Sequence, residues 1–187
     1  MSITIALVQI ERWLRAHTPA IAATLAPAAT LERLDHTASM FGRTLPADVQ
    51  RLYLWHDGTV AAVDRFEIYP SRYFLPLADA IDAWTILNDY EADQLAEDPD
   101  YRHWQPHWFP IAYDGSGDHV VVETAGQHGG RVFVKSAENG AEPERGWPSL
   151  DAWADDLLRA LTTDTLFAQR WRRVPNIPAL QWTYAAD

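Results

Sequence analysis

Cysteine is absent from the 187 residues. That removes disulfides, cysteine-ligated zinc and a thiol nucleophile together, and it fits a reducing compartment. Lysine is almost absent: of 15 basic residues, Lys135 alone is not arginine. Positive charge is scarce as well. The 26 acidic side chains leave a formal net charge of −11. Such a surface repels nucleic acid. It suits a basic partner, whose encounter electrostatic attraction would speed, and it also serves plain solubility. Long apolar runs are missing too. No segment approaches the roughly 20 residues of a membrane span. The opening "MSITIALVQIERW" lacks a basic start, and Glu11 cuts its apolar stretch short. The expectation is a cytoplasmic chain with no signal peptide.

What the chain does have is core-forming material. Hydrophobic residues make up 48%, with nine tryptophans. The length fits a single domain over 1–187 with an extension at its end. Ile3, Leu7, Ile10 and Leu14 recur at helical spacing and predict an amphipathic helix over 2–17. An alanine-rich stretch bounded by Pro19 and Pro27 reads as a short helix or packed connector. Thr30 is placed to cap a helix through Leu31, Leu34 and Met40 that stops near Gly42.

The stretch "LPADVQRLYLWHDG", 45–58, reads as a further helix, with Pro46 in its first turn and Asp57-Gly58 as its stop. Its apolar face is Leu45, Val49, Leu52 and Tyr53. Residues 65–69 alternate like a half-buried strand. Pro76 precedes a helix with Leu77, Ile81, Trp84 and Leu87 on one face. That helix runs into residues 88–100, which hold six acids and read as a solvated helix end and loop.

"WFPIA" (108–112), "HVVVET" (119–124) and "RVFVKS" (131–136) are strands separated by glycine turns at 114–118 and 126–130. Links this short imply antiparallel pairing. Ser149 then caps a helix with Leu150, Trp153, Leu157 and Leu161 on one face. The order predicts an α+β fold: a central antiparallel β-sheet flanked by helices, one sheet face covered and one more exposed.

Catalytic patterns are weak. "DGSGD" lacks the outer glycines of a nucleophile elbow. Counted from Asp114, an EF-hand would need Gly at His119 and Glu at Ala125. A tight polar turn is the better reading. His103 and His107 have the i,i+4 spacing of zinc ligands, but Pro106 between them breaks the helix that would align them. His119 reads as a strand-edge residue and His56 as a helix-end or surface residue. Trp55, Trp104 and Trp108 are either packed or exposed anchors, and packing is favoured for each. No catalytic set, no metal site and no cofactor is expected.

"TLERLDHTASMFGRTLPADVQRLYLWHDG", then "HWFPIAYDGSGDHVVVE", "GRVFVK" and "SLDAWADDLL" together resemble the SUKH superfamily. These are the Smi/Knr-like cell-wall regulators of yeast and their bacterial relatives. The resemblance runs over about 30–161 and leaves 163–187 outside it. Its most specific pieces are Leu45-Pro46 leading to Asp57-Gly58, and Trp108-Pro110-Ile111 leading to Asp114, Gly117 and Asp118. The family often carries Asn-Gly where this chain has Asp57-Gly58.

The resemblance implies an α+β fold with a central antiparallel sheet. It also implies an immunity protein of a polymorphic toxin system, which binds and neutralises a cognate toxin such as a nuclease. On that reading these residues face the toxin's basic cleft: Glu67 and Tyr69 from the strand, Asp89, Glu91 and Asp93 from the acidic run, and Asp114 and Asp118 from the turn. Two other readings stand beside it. One is a Smi/Knr-like scaffold for endogenous partners. The other is an enzyme centred on Asp114, Asp118 and His119. Oligomeric state is not fixed by the sequence.

Overall fold

Two threonine and serine caps mark helix starts where the sequence places them. Thr30 accepts the Arg33 backbone N–H at 3.2 Å, and Ser149 accepts that of Ala152 at 3.2 Å. Each satisfies one of the orphan donors at a helix start. In the computed structural model, which describes residues 1–62, 64–126, 129–138, 140–141, 143–175, 177 and 179–185, six α-helices are found. They are α1 (Ile3–His17), α2 (Pro19–Ala22), α3 (Leu31–Phe41), α4 (Ala47–Trp55), α5 (Leu77–Glu97) and α6 (Leu150–Thr162).

The strands are β1 (Glu67–Tyr69), β2 (Arg72–Phe74), β3 (Trp108–Tyr113), β4 (His119–Glu123), β5 (Val132–Ser136), β6 (Gly140–Ala141), β7 (Trp171–Arg173) and β8 (Trp182–Tyr184). The first six form one antiparallel sheet in chain order, and β7 pairs with β8 in a separate hairpin. The fold is therefore α+β with a central antiparallel sheet and flanking helices. The turn expected at 126–130 includes residues 127 and 128, which lie outside those described. Sequence reading missed β2 and β6, and took the last segment for a short helix with an added strand or tail where β7 and β8 form a hairpin; all four strands are too short for a two-residue period to stand out.

Helix α4 begins one residue after Pro46 and stops at Trp55. Asp57 and Gly58 therefore lie beyond its end. Gly58 has φ 74°, and a Cβ there would collide with the Pro76 backbone nitrogen. The glycine is needed both for its left-handed backbone and for the close approach of the segment entering α5.

Side-chain alternation splits the sheet into two packed faces. On one, Phe109, Ile111, Val120, Val122 and Val132 join the main core. Trp153 and Leu157 of α6 and Ile3, Leu7 and Ile10 of α1 belong to the same core. On the other, Val121 and Phe133 meet Trp104 and Trp108 in a second, smaller core, with Trp84 and Leu87 of α5 against it.

The expected exposed face is thus largely covered. Three apolar side chains on that face, Trp108, Val121 and Phe133, need shielding, and α5 with the 101–107 connection supplies it. Trp104 and Trp108 are buried there, and Trp55 is half-buried against the main core. A bulge at Pro110/Ala112 lets β3 hold a proline inside the sheet.

Candidate partner-binding surface

Helix α5 is 21 residues long and leaves one face in solvent. Leu77, Ala80, Ile81 and Glu91 are buried along the inner face. At a rotation of about 100° per residue, Asp79, Asp82, Ile86, Asp89, Tyr90, Asp93 and Glu97 fall on the opposite side. All seven are exposed. Two of them are large and apolar in body: Ile86 is 67% exposed and Tyr90 54%. The result is a five-carboxylate stripe along one helix with an exposed apolar patch at its middle.

Beside the stripe lies a groove of about 600 Å³ between α5 and the sheet. Its floor is Tyr113 of β3, His119 of β4 and Lys135 of β5. Ile86, Leu87 and Tyr90 of α5 form one wall, and Tyr73 and Tyr101 close the sides. Four of the chain's seven tyrosines therefore line one cleft. Asp79 and Asp82 stand at its rim and connect it to the stripe. Phenol rings pair apolar bodies with polar tips and lose little side-chain freedom on contact, which suits them to protein interfaces.

His119 is not the edge residue expected. It is 5% exposed. Its ring stacks on Tyr113 at 4.7 Å, and Nδ1 lies 3.1 Å from the Gly117 carbonyl. Burial holds its pKa down at about 4, so the imidazole is neutral at pH 7.

The seven residues expected to face a partner do not form one patch. Asp89 and Asp93 are exposed on the α5 stripe. Glu91, between them in sequence, points inward. It is 6% exposed, and both its oxygens accept the His103 backbone N–H, at 3.2 and 3.3 Å. A helix carries adjacent residues to different sides, so a run of acids cannot all face out.

Tyr69 is 7% exposed. Its hydroxyl accepts the Trp171 indole N–H at 2.8 Å, which packs it beneath the C-terminal hairpin. It is a core residue and not a surface anchor. Glu67 is half-buried and holds the β1–β2 turn by accepting the Ser71 backbone N–H at 2.8 Å. Burial raises its pKa.

Asp114 and Asp118 also have internal tasks. One Asp114 oxygen accepts the backbone N–H groups of Ser116, Gly117 and Asp118 at 2.7, 3.1 and 3.1 Å. Its pKa is lowered: burial opposes ionisation, but hydrogen bonds from Ser116 and Asp118 outweigh it. Asp118 pairs with Arg72 at 2.5 Å and accepts the Ala137 N–H at 2.9 Å. These carboxylates shape the β3–β4 turn and tie it to β2 and β5.

Two further expectations concern histidines. The His103 ring stacks on Tyr101, and the His107 ring lies 3.5 Å from Glu123. Among the described residues no group of three or more His, Asp or Glu is arranged to hold a metal ion. His56 is half-buried, with Nδ1 against the Ala26 carbonyl and Nε2 3.6 Å from Glu11.

Asp79 and Asp82, at the groove rim, were missed by the sequence reading. Their i,i+3 spacing, continued by Ile86, Asp89 and Asp93, was the signal that places them on the stripe. No helix is long and apolar enough to cross a membrane among the described residues. Among curated proteins no sequence matches the chain. Residues 28–156, more than two thirds of its length, match the SMI1/KNR4 family (SUKH-1). They take in every element from α3 to the first half of α6, including the α5 stripe and the whole six-stranded sheet. The chain belongs to the SMI1/KNR4 (SUKH-1) family.

Proposed function

We propose that this chain is a bacterial immunity protein that acts in the cytoplasm by binding and neutralising a cognate toxin, without catalysis. The observation that carries the reading is the α5 stripe: five exposed carboxylates on one helix face, with Ile86 and Tyr90 exposed among them, beside a tyrosine-lined groove. From Asp79 to Glu97 the stripe spans about 27 Å at 1.5 Å per residue. That length suits a standard interface of about 800 Å² per partner. A basic partner fits it, a nuclease above all, because a row of carboxylates offers its cleft the negative charge that phosphates otherwise supply. Long-range attraction would speed capture, while Ile86, Tyr90 and the groove tyrosines would supply the desolvated centre that holds the complex. Family membership supports a role in protein–protein binding.

The test is protection. Where a neighbouring gene encodes a toxin, cells expressing that toxin are to survive when the chain is co-expressed, and a complex is to be recovered from them. Equal killing with and without the chain would overturn the reading. Recovery of the same housekeeping proteins from a strain lacking any adjacent toxin gene would favour a scaffold instead.

A further inference from the structure

The acidic stripe does not account for the floor of the groove. Lys135 is the one lysine in 187 residues. It faces His119 across the β4–β5 pairing, lines the groove and is only 7% exposed. No hydrogen bond or ion pair from another described residue reaches its ammonium. Two carboxylates act on it electrostatically, Asp118 and Glu91. Both are committed elsewhere: Asp118 to Arg72 and the Ala137 N–H, Glu91 to the His103 N–H. Burial lowers the Lys135 pKa, as expected for a cation short of partners. Neighbouring His119 stays neutral and so adds no second positive charge beside it. An ammonium has three donors and no acceptor, and a largely buried one with no bonded acceptor among the described residues favours an anion beside it. Its open side is the groove.

We propose that the groove receives a carboxylate of the partner protein, an Asp or Glu side chain that inserts between α5 and the sheet and pairs with Lys135. The inference rests on the reading of this face as the partner surface. The rim decides the class of anion. Asp79 and Asp82 stand at the entrance, and they repel a phosphate, which carries a charge of about −1.5 to −2, more than a monoanionic carboxylate. Around the carboxylate, phenol hydroxyls donate hydrogen bonds and ring edges exclude water. A partner matched to this surface carries an acidic residue surrounded by basic ones. That arrangement gives selectivity, because a uniformly basic surface sets more positive charge against Lys135 and offers it no acceptor.

A single lysine makes the test direct. Labelling of the full chain with lysine carrying ¹³C at Cε alone yields one side-chain signal, that of Lys135. The probe is sodium propionate, with sodium chloride and inorganic phosphate as comparisons at equal ionic strength. Propionate is expected to move the signal saturably, and phosphate and chloride are expected to move it less. In Lys135→Met, read through the Tyr113 ring signals, the propionate response is expected to vanish. A propionate curve that follows chloride, a larger response to phosphate, or a response that survives in folded Lys135→Met would overturn the proposal. The wild-type titration needs neither a partner nor a variant, so its failure is distinct from failure of the protection assay. With the toxin in hand, Lys135→Met is expected to weaken binding roughly 30-fold or more, mainly through faster dissociation.

Discussion

Asp57 caps a helix that starts 20 residues further along the chain: its Oδ1 accepts the Leu77 backbone N–H at 2.8 Å. Its Oδ2 pairs with Arg33 of α3 at 2.6 Å. One buried carboxylate thus joins the end of α4, the body of α3 and the start of α5, where Pro76 has no side chain able to cap. The helix bearing the acidic stripe is aimed by this residue.

Asp57→Ala is expected to lower stability by about 1–3 kcal/mol, through loss of the cap and of a buried charge-assisted hydrogen bond. Asp57→Asn keeps an oxygen acceptor for Leu77 and gives up only the pair with half-exposed Arg33, so its cost is expected below about 1 kcal/mol. Urea unfolding of the two variants checks the order. Equal losses would mean that the ion pair, and not the cap, is what matters.

Trp153 is fully buried, and its indole N–H donates to the Ile68 carbonyl at 2.9 Å. Trp153→Ala is expected to cost about 3–5 kcal/mol, from the cavity and the carbonyl left unpaired. Protection would then fall with protein abundance and not with contact. An unchanged melting temperature would contradict the packing of α6 on the sheet.

Asp89 and Glu91 lie two residues apart and predict opposite phenotypes. Reversing Asp82, Asp89 and Asp93 to Lys is expected to leave folding nearly intact, since exposed substitutions change stability by about 0.5 kcal/mol or less. The association rate with a basic toxin should fall and lose much of its salt dependence. Glu91→Ala is expected to cost about 1–3 kcal/mol by leaving the His103 N–H without its acceptor, with association of the folded fraction little changed. Stopped-flow binding at two salt concentrations, beside thermal melting, separates the two.

His119 makes stability depend on pH in a defined window. Its pKa falls from 6.5 to about 4 on folding, chiefly through burial. Between those values the unfolded chain binds the proton and the folded chain does not. Stability is therefore full above pH 6.5 and is lost as pH falls toward 4. The whole effect amounts to roughly 3 kcal/mol. Glu11 and Asp114, whose pKa values are lowered from 4.5 and 3.8, act at lower pH. Unfolding free energies measured from pH 7 to 5 should slope less in His119→Gln than in the wild type. Parallel slopes would mean that His119 protonates while folded.

Helical spacing in the sequence was enough to locate α1, α3 and α6, because each buries one stripe; α3 also carries boundary signals at Thr30 and Gly42, and α6 carries one at Ser149. The β3–β4–β5 meander was legible for a similar local reason. Valine-rich runs joined by polar glycine turns leave little choice but antiparallel neighbours. From these the α+β fold followed.

The surface was less legible, because exposure is set by what arrives from elsewhere in the chain. Nothing local to Tyr69 announces that Trp171, 102 residues later, will donate to its hydroxyl. Nothing in "HVVVE" says that Trp104 and α5 will cover the second sheet face, or that β5 will set a lysine beside His119. Composition and periodicity determined the elements, the fold class and the excess of negative charge. The tertiary structure decided which acids face water, which hold turns and caps, and where the one lysine is set. Those outcomes depend on long-range packing, where the cost of burying an unpaired polar group selects among side chains that look alike in sequence.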